Sequence, residues 1–246
     1  MNFRLRISNQ LFHHHAESLV NSESSRIAAI IDALSSEVDF KENPRLNKGV
    51  VSVGVTAPSV NDEVRRLFRG TPGIRFEVNE SEGVFYWGDQ KNGFDFAFLD
   101  EDSNLKKLWN NCYGSRPYSD GSSRWVNYVN NMERFPPSTR ISEDFARYAH
   151  GADIGAAKSS PIILGEIQFG NWALCYRDMF KVLKANIFTN VDLLIYIAAD
   201  GYLEELLSDG IVTFEKTKNI VTEFSKVLTI PIWVIGIDVD RINPNV

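Results

Sequence analysis

Residues 161–199, "PIILGEIQFGNWALCYRDMFKVLKANIFTNVDLLIYIAA", decide the fold. The first nine form an apolar run of strand length. "NWALCYRDMFKVLKANIF" then has helical periodicity, and "VDLLIYIAA" is a second buried-strand run. Downstream, "TFEKTKNIVTEFSKVL" reads as a helix and "IPIWVIGIDV" as a final strand. Strand, helix, strand, helix, strand requires crossover connections, so the chain is expected to be an α/β protein: a single domain with a central mixed β-sheet flanked by helices.

Upstream, residues 16–36 read as a helix and "KGVVSVGVTA" as a strand. "SVNDEVRRLFRG" reads as a short helix with Ser59 as cap and Gly70 as stop. "GIRFEVNESEGVFYWGD" and "GFDFAFLD" read as a meander of strands. Residues 100–140, polar, aromatic and punctuated by Gly, Ser and Pro up to Pro136 and Pro137, are expected to be irregular. "STRISEDFARYAHG" offers Ser142 as the cap of a helix reaching His150.

The chain has 246 residues, a formal net charge of −6 and 43% hydrophobic residues, the composition of one globular domain. No window approaches a membrane span, and "MNFRLRISNQLFHHHAESLV" lacks an export signal, so a cytoplasmic protein is expected. Cys112 and Cys175 exclude a disulfide framework and an all-cysteine zinc site. Three consecutive histidines, His13, His14 and His15, cannot all face one point on a regular element. The net charge argues against a simple cationic nucleic-acid binder. Residues 105–158, however, carry eight basic side chains against five acidic ones, a local surplus of positive charge.

In the strand "PIILGEIQF", Glu166 and Gln168 share a face and Ile167 and Phe169 share the other. If the "GAAKSSP" connection closes a hairpin, Asp153 returns beside Glu166, and two carboxylates and an amide converge. Such a set suits Mg²⁺, which takes one or two carboxylates plus water and a substrate phosphate, and the implied chemistry is phosphodiester hydrolysis. Asp95 in "NGFDFAFLDED" is the rival aspartate, disfavoured because residues 96–160 would then be an insertion within a hairpin. Glu143 and Asp144 are further acidic candidates, more simply explained as charges at a helix N-terminus. Asn171 opens the next helix, where backbone amides favour phosphate and an Asn side chain can cap the helix or pair with adenine. Arg177 and Lys181, four apart on that helix, can reach phosphates or stay solvated. Phe180, Leu183 and Phe188 suit a core or a dimer interface.

An aspartate, about a dozen residues, Glu-x-Gln in an apolar strand and a helix at once after it resemble the core of the PD-(D/E)xK nucleases. Within that superfamily, "GEIQFGNW" resembles the type II restriction endonucleases of the BglII, BstYI and BamHI group, and the likeness runs in outline over residues 150–240. Before residue 100 it is faint, resting on Lys48, Gly49, Pro58, Asn61 and a short helix. The resemblance implies Asp153 and Glu166 as catalytic metal ligands, with the backbone carbonyl of Ile167 completing the set. Gln168 stands where most of the superfamily has Lys, and a neutral amide cannot deprotonate water, which leaves the general base open. The resemblance also implies a Mg²⁺-dependent enzyme, a homodimer cutting double-stranded DNA at a short palindrome, with Asn171, Arg177 and Lys181 on the DNA. The 100–140 segment is then the place for variable recognition. Two other readings remain open: a catalytically inactive DNA-binding relative, and a structure- or mismatch-specific repair nuclease.

Overall fold

The computed structural model describes residues 1–47, 50–88, 93–132 and 144–242. Lys48, Gly49, Pro136, Pro137, Ser142 and Glu143 lie outside the described residues. The chain begins with β1 (Asn2–His13), α1 (Ala16–Ser22), α2 (Ser24–Ala33) and β2 (Glu37–Asp39). There follow β3 (Glu42–Asn47), β4 (Val50–Val55), α3 (Ala57–Phe68), β5 (Ile74–Ser81), β6 (Val84–Tyr86) and β7 (Phe94–Phe98). Two helices come next, α4 (Glu101–Tyr113) and α5 (Gly121–Met132). The chain closes with β8 (Ile163–Gln168), α6 (Ala173–Thr189), β9 (Leu193–Ala199), α7 (Gly201–Leu206), α8 (Phe214–Glu223) and β10 (Ile232–Arg241).

One eight-stranded mixed sheet, ordered β2-β1-β10-β9-β8-β7-β5-β6, organises the chain. Its centre is parallel: β8 pairs with β9 from Ile163↔Leu193 to Gln168↔Ala198, and β9 pairs with β10. The flanking pairs β1/β10, β7/β8 and β5/β7 are antiparallel. All residues of β8 and β9 are buried, as expected for strands covered on both faces. Ile163, Ile167, Ile195, Ile197 and Trp233 pack under α2, α3 and α7. On the other face, Leu164, Tyr196 and Val234 pack under α4, α5, α6 and α8.

The α/β class and the order of elements from residue 161 onward match the expectation. The strands β1, β2 and β3 and the short helix α7 come in addition to the expected elements, and four further details differ. The single helix expected over 16–36 is two helices meeting at Glu23. The helix expected to start at Ser59 is capped instead by Thr56, whose side chain accepts from Ser59 N. Residues 146–150 run as turns and bends rather than helix. The largest difference is that 100–140, expected to be irregular, carries α4 and α5. Leu105, Leu108, Trp109 and Cys112 face the core at helical spacing, and Trp109, Trp125 and Phe145 pack ring against ring.

Buried polar groups fasten this pair of helices to the sheet. Asn104 Nδ2 donates to Phe85 O at 2.9 Å, and Asn104 Oδ1 accepts from Phe85 N at 2.7 Å, joining α4 to β6. Asp100 caps α4 by accepting from Ser103 N at 2.9 Å. It also accepts from Ser159 N, Ser159 Oγ and Ser160 N, which pins the far end of the insertion. Burial alone would raise the Asp100 pKa, but these donors bring it down to about 2.

A carboxylate held below its ordinary value contributes stability above that value and loses it as pH falls through the folded value. Denaturant titrations should therefore show stability declining from a pH of about 4 towards about 2, and Asp100→Asn should cost roughly 2 kcal/mol near neutrality with a flatter acid limb.

Candidate active site

The site forms where β7 lies against β8. The register Phe96↔Gly165, Ala97↔Leu164, Phe98↔Ile163, continued by one residue, sets Asp95 across from Glu166. Gly165 is required here: a Cβ on it would fall 2.1 Å from the Phe96 ring. Asp95 Oδ2 accepts from Ile167 N at 2.6 Å, so the backbone of β8 fixes the carboxylate. Arg65, from α3, bridges Asp95 and Glu77. Glu77 lies on β5, and its φ of 50° is a left-handed backbone that a glutamate adopts only under local constraint.

Glu166 is 2% exposed. Its Oε1 meets the Lys181 ammonium from α6 as an ion pair, and no donor among the described residues reaches that oxygen with hydrogen-bond geometry. Burial first, and the Asp95 charge second, push the Glu166 pKa well above the usual carboxylate range. Burial also raises Asp95, opposed by Arg65 and the Ile167 N–H. Lys181 Nζ additionally donates to Gly93 O at 2.8 Å and lies 4.7 Å from the Phe94 ring centroid.

Gln168 also lines this end of β8, but both ends of its amide are engaged. Nε2 donates to Asp178 Oδ2 at 3.1 Å, and Oε1 accepts from Gly170 N at 3.0 Å. Asp178 is fully buried and also accepts from Tyr196 OH at 3.3 Å and from Arg177 Nε and Nη2 at 3.1 and 2.9 Å. Asn171 Oδ1 accepts from Ala173 N at 2.9 Å at the start of α6, a capping contact. Arg177 and Lys181 do share a face of α6, and each serves a different carboxylate of the centre.

Asp153 does not join Glu166, which corrects the hairpin expectation. Its carboxylate accepts from Ser115 N and Ser115 Oγ at 2.9 and 2.8 Å, bonds that lower its pKa. Asn110 exchanges two hydrogen bonds with the Ile154 backbone, and Gly151 N donates to Tyr113 O, so residues 151–154 are stapled to the end of α4. The strand neighbours of β8 are β7 and β9, which leaves no edge for a hairpin with Asp153. The rival aspartate, Asp95, occupies that position. Glu77, Arg65 and Asp178 escaped the sequence reading. The available signal for Asp95 was its place in "FDFAF", an apolar strand holding one carboxylate, as "ILGEIQ" does.

Among the described residues no group of three or more His, Cys, Asp or Glu side chains is placed to hold a metal ion. Asp144 is likewise outside the Asp95–Glu166 pair, and His13 and His14 bond the Leu228 and Ser225 carbonyls. Cys112 and Cys175 are buried thiols whose pKa burial raises to about 11. Two neighbouring carboxylates are the kind of donor set that a hard cation takes together with waters and a substrate phosphate.

The family model for the restriction endonuclease BglII/BglIII family matches residues 9–237. Among solved structures, BglII restriction endonuclease complexed with a DNA 16-mer aligns at 10% identity and TM-score 0.48, covering 93% of this chain and 74% of that one. Free BglII aligns at 10% identity and TM-score 0.43, covering 93% and 77%. A sequence search of curated proteins gave no match.

The Asp178 network yields a stability measurement. Asp178→Ala leaves the Gln168 amide and the Tyr196 hydroxyl buried without their acceptor and should cost about 3 kcal/mol or more in urea titration. Asn171→Ala, a cap loss, should cost about 1 kcal/mol.

Proposed function

Because the chain belongs to the restriction endonuclease BglII/BglIII family, we propose that its cleavage of DNA is carried out by Asp95 and Glu166 with Mg²⁺, at a short palindromic duplex site read by a homodimer. The enzyme class itself, a type II site-specific deoxyribonuclease, follows from the family, whose members generally use divalent metal ions. The observation that carries the proposal is the pairing of Asp95 with Glu166. Glu166 is buried and Asp95 half-buried beside it, so their charges repel, and a divalent cation would add to the relief that Arg65 and Lys181 give.

Asp95 and Glu166 would hold the cation, with the Ile167 carbonyl as a further ligand. Bound there, it would supply Lewis acidity to a phosphoryl oxygen and a lowered pKa to a water. Lys181 sets a positive charge against Glu166, where a reacting phosphate would gather negative charge. Gln168 does not act as a base: it holds Asp178, which in turn holds Arg177. Asp153 has no part in this reading. The exposed Arg177 and Asn171, at the head of α6, are the groups for phosphate and base contact. Among the described residues no helix is long and apolar enough to cross a membrane, and the two buried thiols suit the reducing cytoplasm in which we place the enzyme.

The homodimer rests on α6. Trp172, Tyr176, Phe180, Leu183 and Ile187 recur every three or four residues along it. Phe180 is 66% and Ile187 76% exposed, with Val227 at 58% beside them. A cavity of about 110 Å³ between α6 and α8 continues the apolar face. A contiguous apolar surface of this kind marks an association site. A twofold through α6, which starts just after β8, would fix the spacing of two active centres on the two strands of a palindrome.

Cleavage of plasmid DNA should require Mg²⁺ or Mn²⁺. Asp95→Asn and Glu166→Gln should each lower the rate by several kcal/mol in transition-state terms while keeping the fold. Asp153→Asn should cut like the parent, and an Asp153→Asn that fails to cut beside an Asp95→Asn that cuts would return the centre to Asp153.

In sedimentation the parent should run as a dimer with DNA. Phe180→Glu with Ile187→Glu should run as a folded monomer that nicks rather than cuts both strands. A parent monomer that nicks would favour the repair-nuclease reading.

A further inference from the structure

A recessed site lies off the carboxylate pair, on the α5 side of the β5–β6 hairpin. Between the β5–β6 hairpin and α5 is an open cavity of about 410 Å³, within the size range of small-ligand sites. One wall is aromatic. The Tyr86 and Trp87 rings stand at 76° and 83° to the Tyr128 ring, with centroids 5.3 and 5.9 Å away. A polar wall adjoins it on one face of α5, where Arg124, Asn127 and Asn131 follow helical spacing around Tyr128. Asn127 and Asn131 are exposed and donate or accept no side-chain hydrogen bond among the described residues. Trp87 is buried, yet its indole N–H has no partner there.

The chemistry of this lining is selective. A carboxamide offers a donor and an acceptor side by side, which matches the edge of a nucleobase. Aromatic rings offer faces for its plane. Among the described residues no carboxylate lines the cavity. The Arg124 guanidinium, oriented by Asp120 at 2.9 Å and by Glu82 at 3.3 Å, stands at the rim, where a phosphate attached to such a base would lie. Asn79 on β5 also lines the cavity. It is two residues beyond Glu77, so at most about 7 Å of extended chain separates it from the strand neighbour of Asp95.

We propose that this cavity receives one nucleobase unstacked from the bound DNA, held by Asn127 and Asn131 against the aromatic wall. A base within the duplex stack shows only its edge in a groove, whereas a recess walled by rings takes the whole base once it leaves the stack. The proposal rests on the DNA-cleaving reading above and gives the α4–α5 insertion a role in it, contacting the strand next to the centre whose two carboxylates the insertion separates in sequence.

The test is fluorescence anisotropy of the full chain, without divalent metal, on labelled ten-nucleotide strands. A dT strand and an abasic strand of equal length share a backbone and differ only in bases. The dT strand should bind at least 10-fold more tightly. Asn127→Ala with Asn131→Ala should remove most of that preference and leave abasic binding unchanged, while Arg124→Ala should weaken both strands alike. Alanine at exposed helical positions favours the helix, so the double variant keeps its fold. Equal binding of the two parent strands, or a double variant that retains the preference, overturns the proposal. So does free thymidine monophosphate binding as tightly as the strand, which would make this a mononucleotide site. Plasmid cleavage by the parent separates the two readings: cutting without base-dependent binding sinks the cavity alone, and base-dependent binding without cutting sinks the nuclease centre alone.

Discussion

Two carboxylates placed side by side, Glu166 buried and Asp95 half-buried, govern the architecture around them. Asp95 and Glu166 face each other across β7 and β8; burial raises the cost of ionising both, the Asp95 charge adds to it at Glu166 and the Glu77 charge adds to it at Asp95. In a poorly solvated setting that cost is large unless opposite charge is close. It is met from two directions, by Arg65 from α3 on one face of the sheet and by Lys181 from α6 on the other. The β7–β8 register, the seating of both helices and the constrained backbone at Glu77 all serve this compensation. Phe96 and Phe98 on β7 and Ile163 and Ile167 on β8 keep the strand pair in dense apolar packing, so the carboxylates cannot drift apart to relieve themselves.

The half of the fold from residue 161 on was legible because its signals are local. β8 and β9 are continuous apolar runs, and α6 and α8 have clear period. β1 was not read as a strand although Phe3 and Leu5 alternate with Arg4 and Arg6, the pattern of an edge-side strand buried on one face. α4 and α5 were hidden by composition: asparagine, serine, glycine and tyrosine suggest loops. In fact Ser103 and Asn104 are buried because their polar groups bond Ala156 O, the Phe85 backbone and Tyr128 OH. Tertiary partners made helix interiors of residues that locally prefer turns.

The partner of Glu166 was the site feature that nearness in sequence could not supply. An aspartate a dozen residues upstream is the economical choice when the alternative is a connection of more than sixty residues, and the prior against long loops is sound for structureless ones. This connection is not structureless. It has its own aromatic cluster around Trp109, it is tied at both ends by Asp100, and Asn110 and Ser115 hold its return segment. An insertion with its own core can sit inside a hairpin without loosening it. The Asp153 side chain is then spent on holding the insertion closed.

Gln168 shows how the charge of the centre is distributed. In the superfamily that the strand resembles, a lysine commonly holds that position, and here the amide is consumed by bonds to Asp178 and Gly170. The ammonium comes instead from the helix behind the strand. Lys181, steadied by Gly93 O and the Phe94 ring, reaches Glu166, while Arg177, one turn earlier, grips Asp178 with two nitrogens. The division suits the two cations: a guanidinium forks onto one carboxylate, and an ammonium is a compact charge that fits a narrow space. Both ion pairs hang on one helix, so a rotation or slip of α6 against β8 would break them together. The connection between strand and helix is correspondingly short. Its Gly170 lets Gln168 Oε1 approach to within 3.0 Å of where a Cβ would stand, and the Asn171 cap sets the first turn. The charge of the proposed centre is thereby fixed by the register between one strand and one helix, and not by the strand alone.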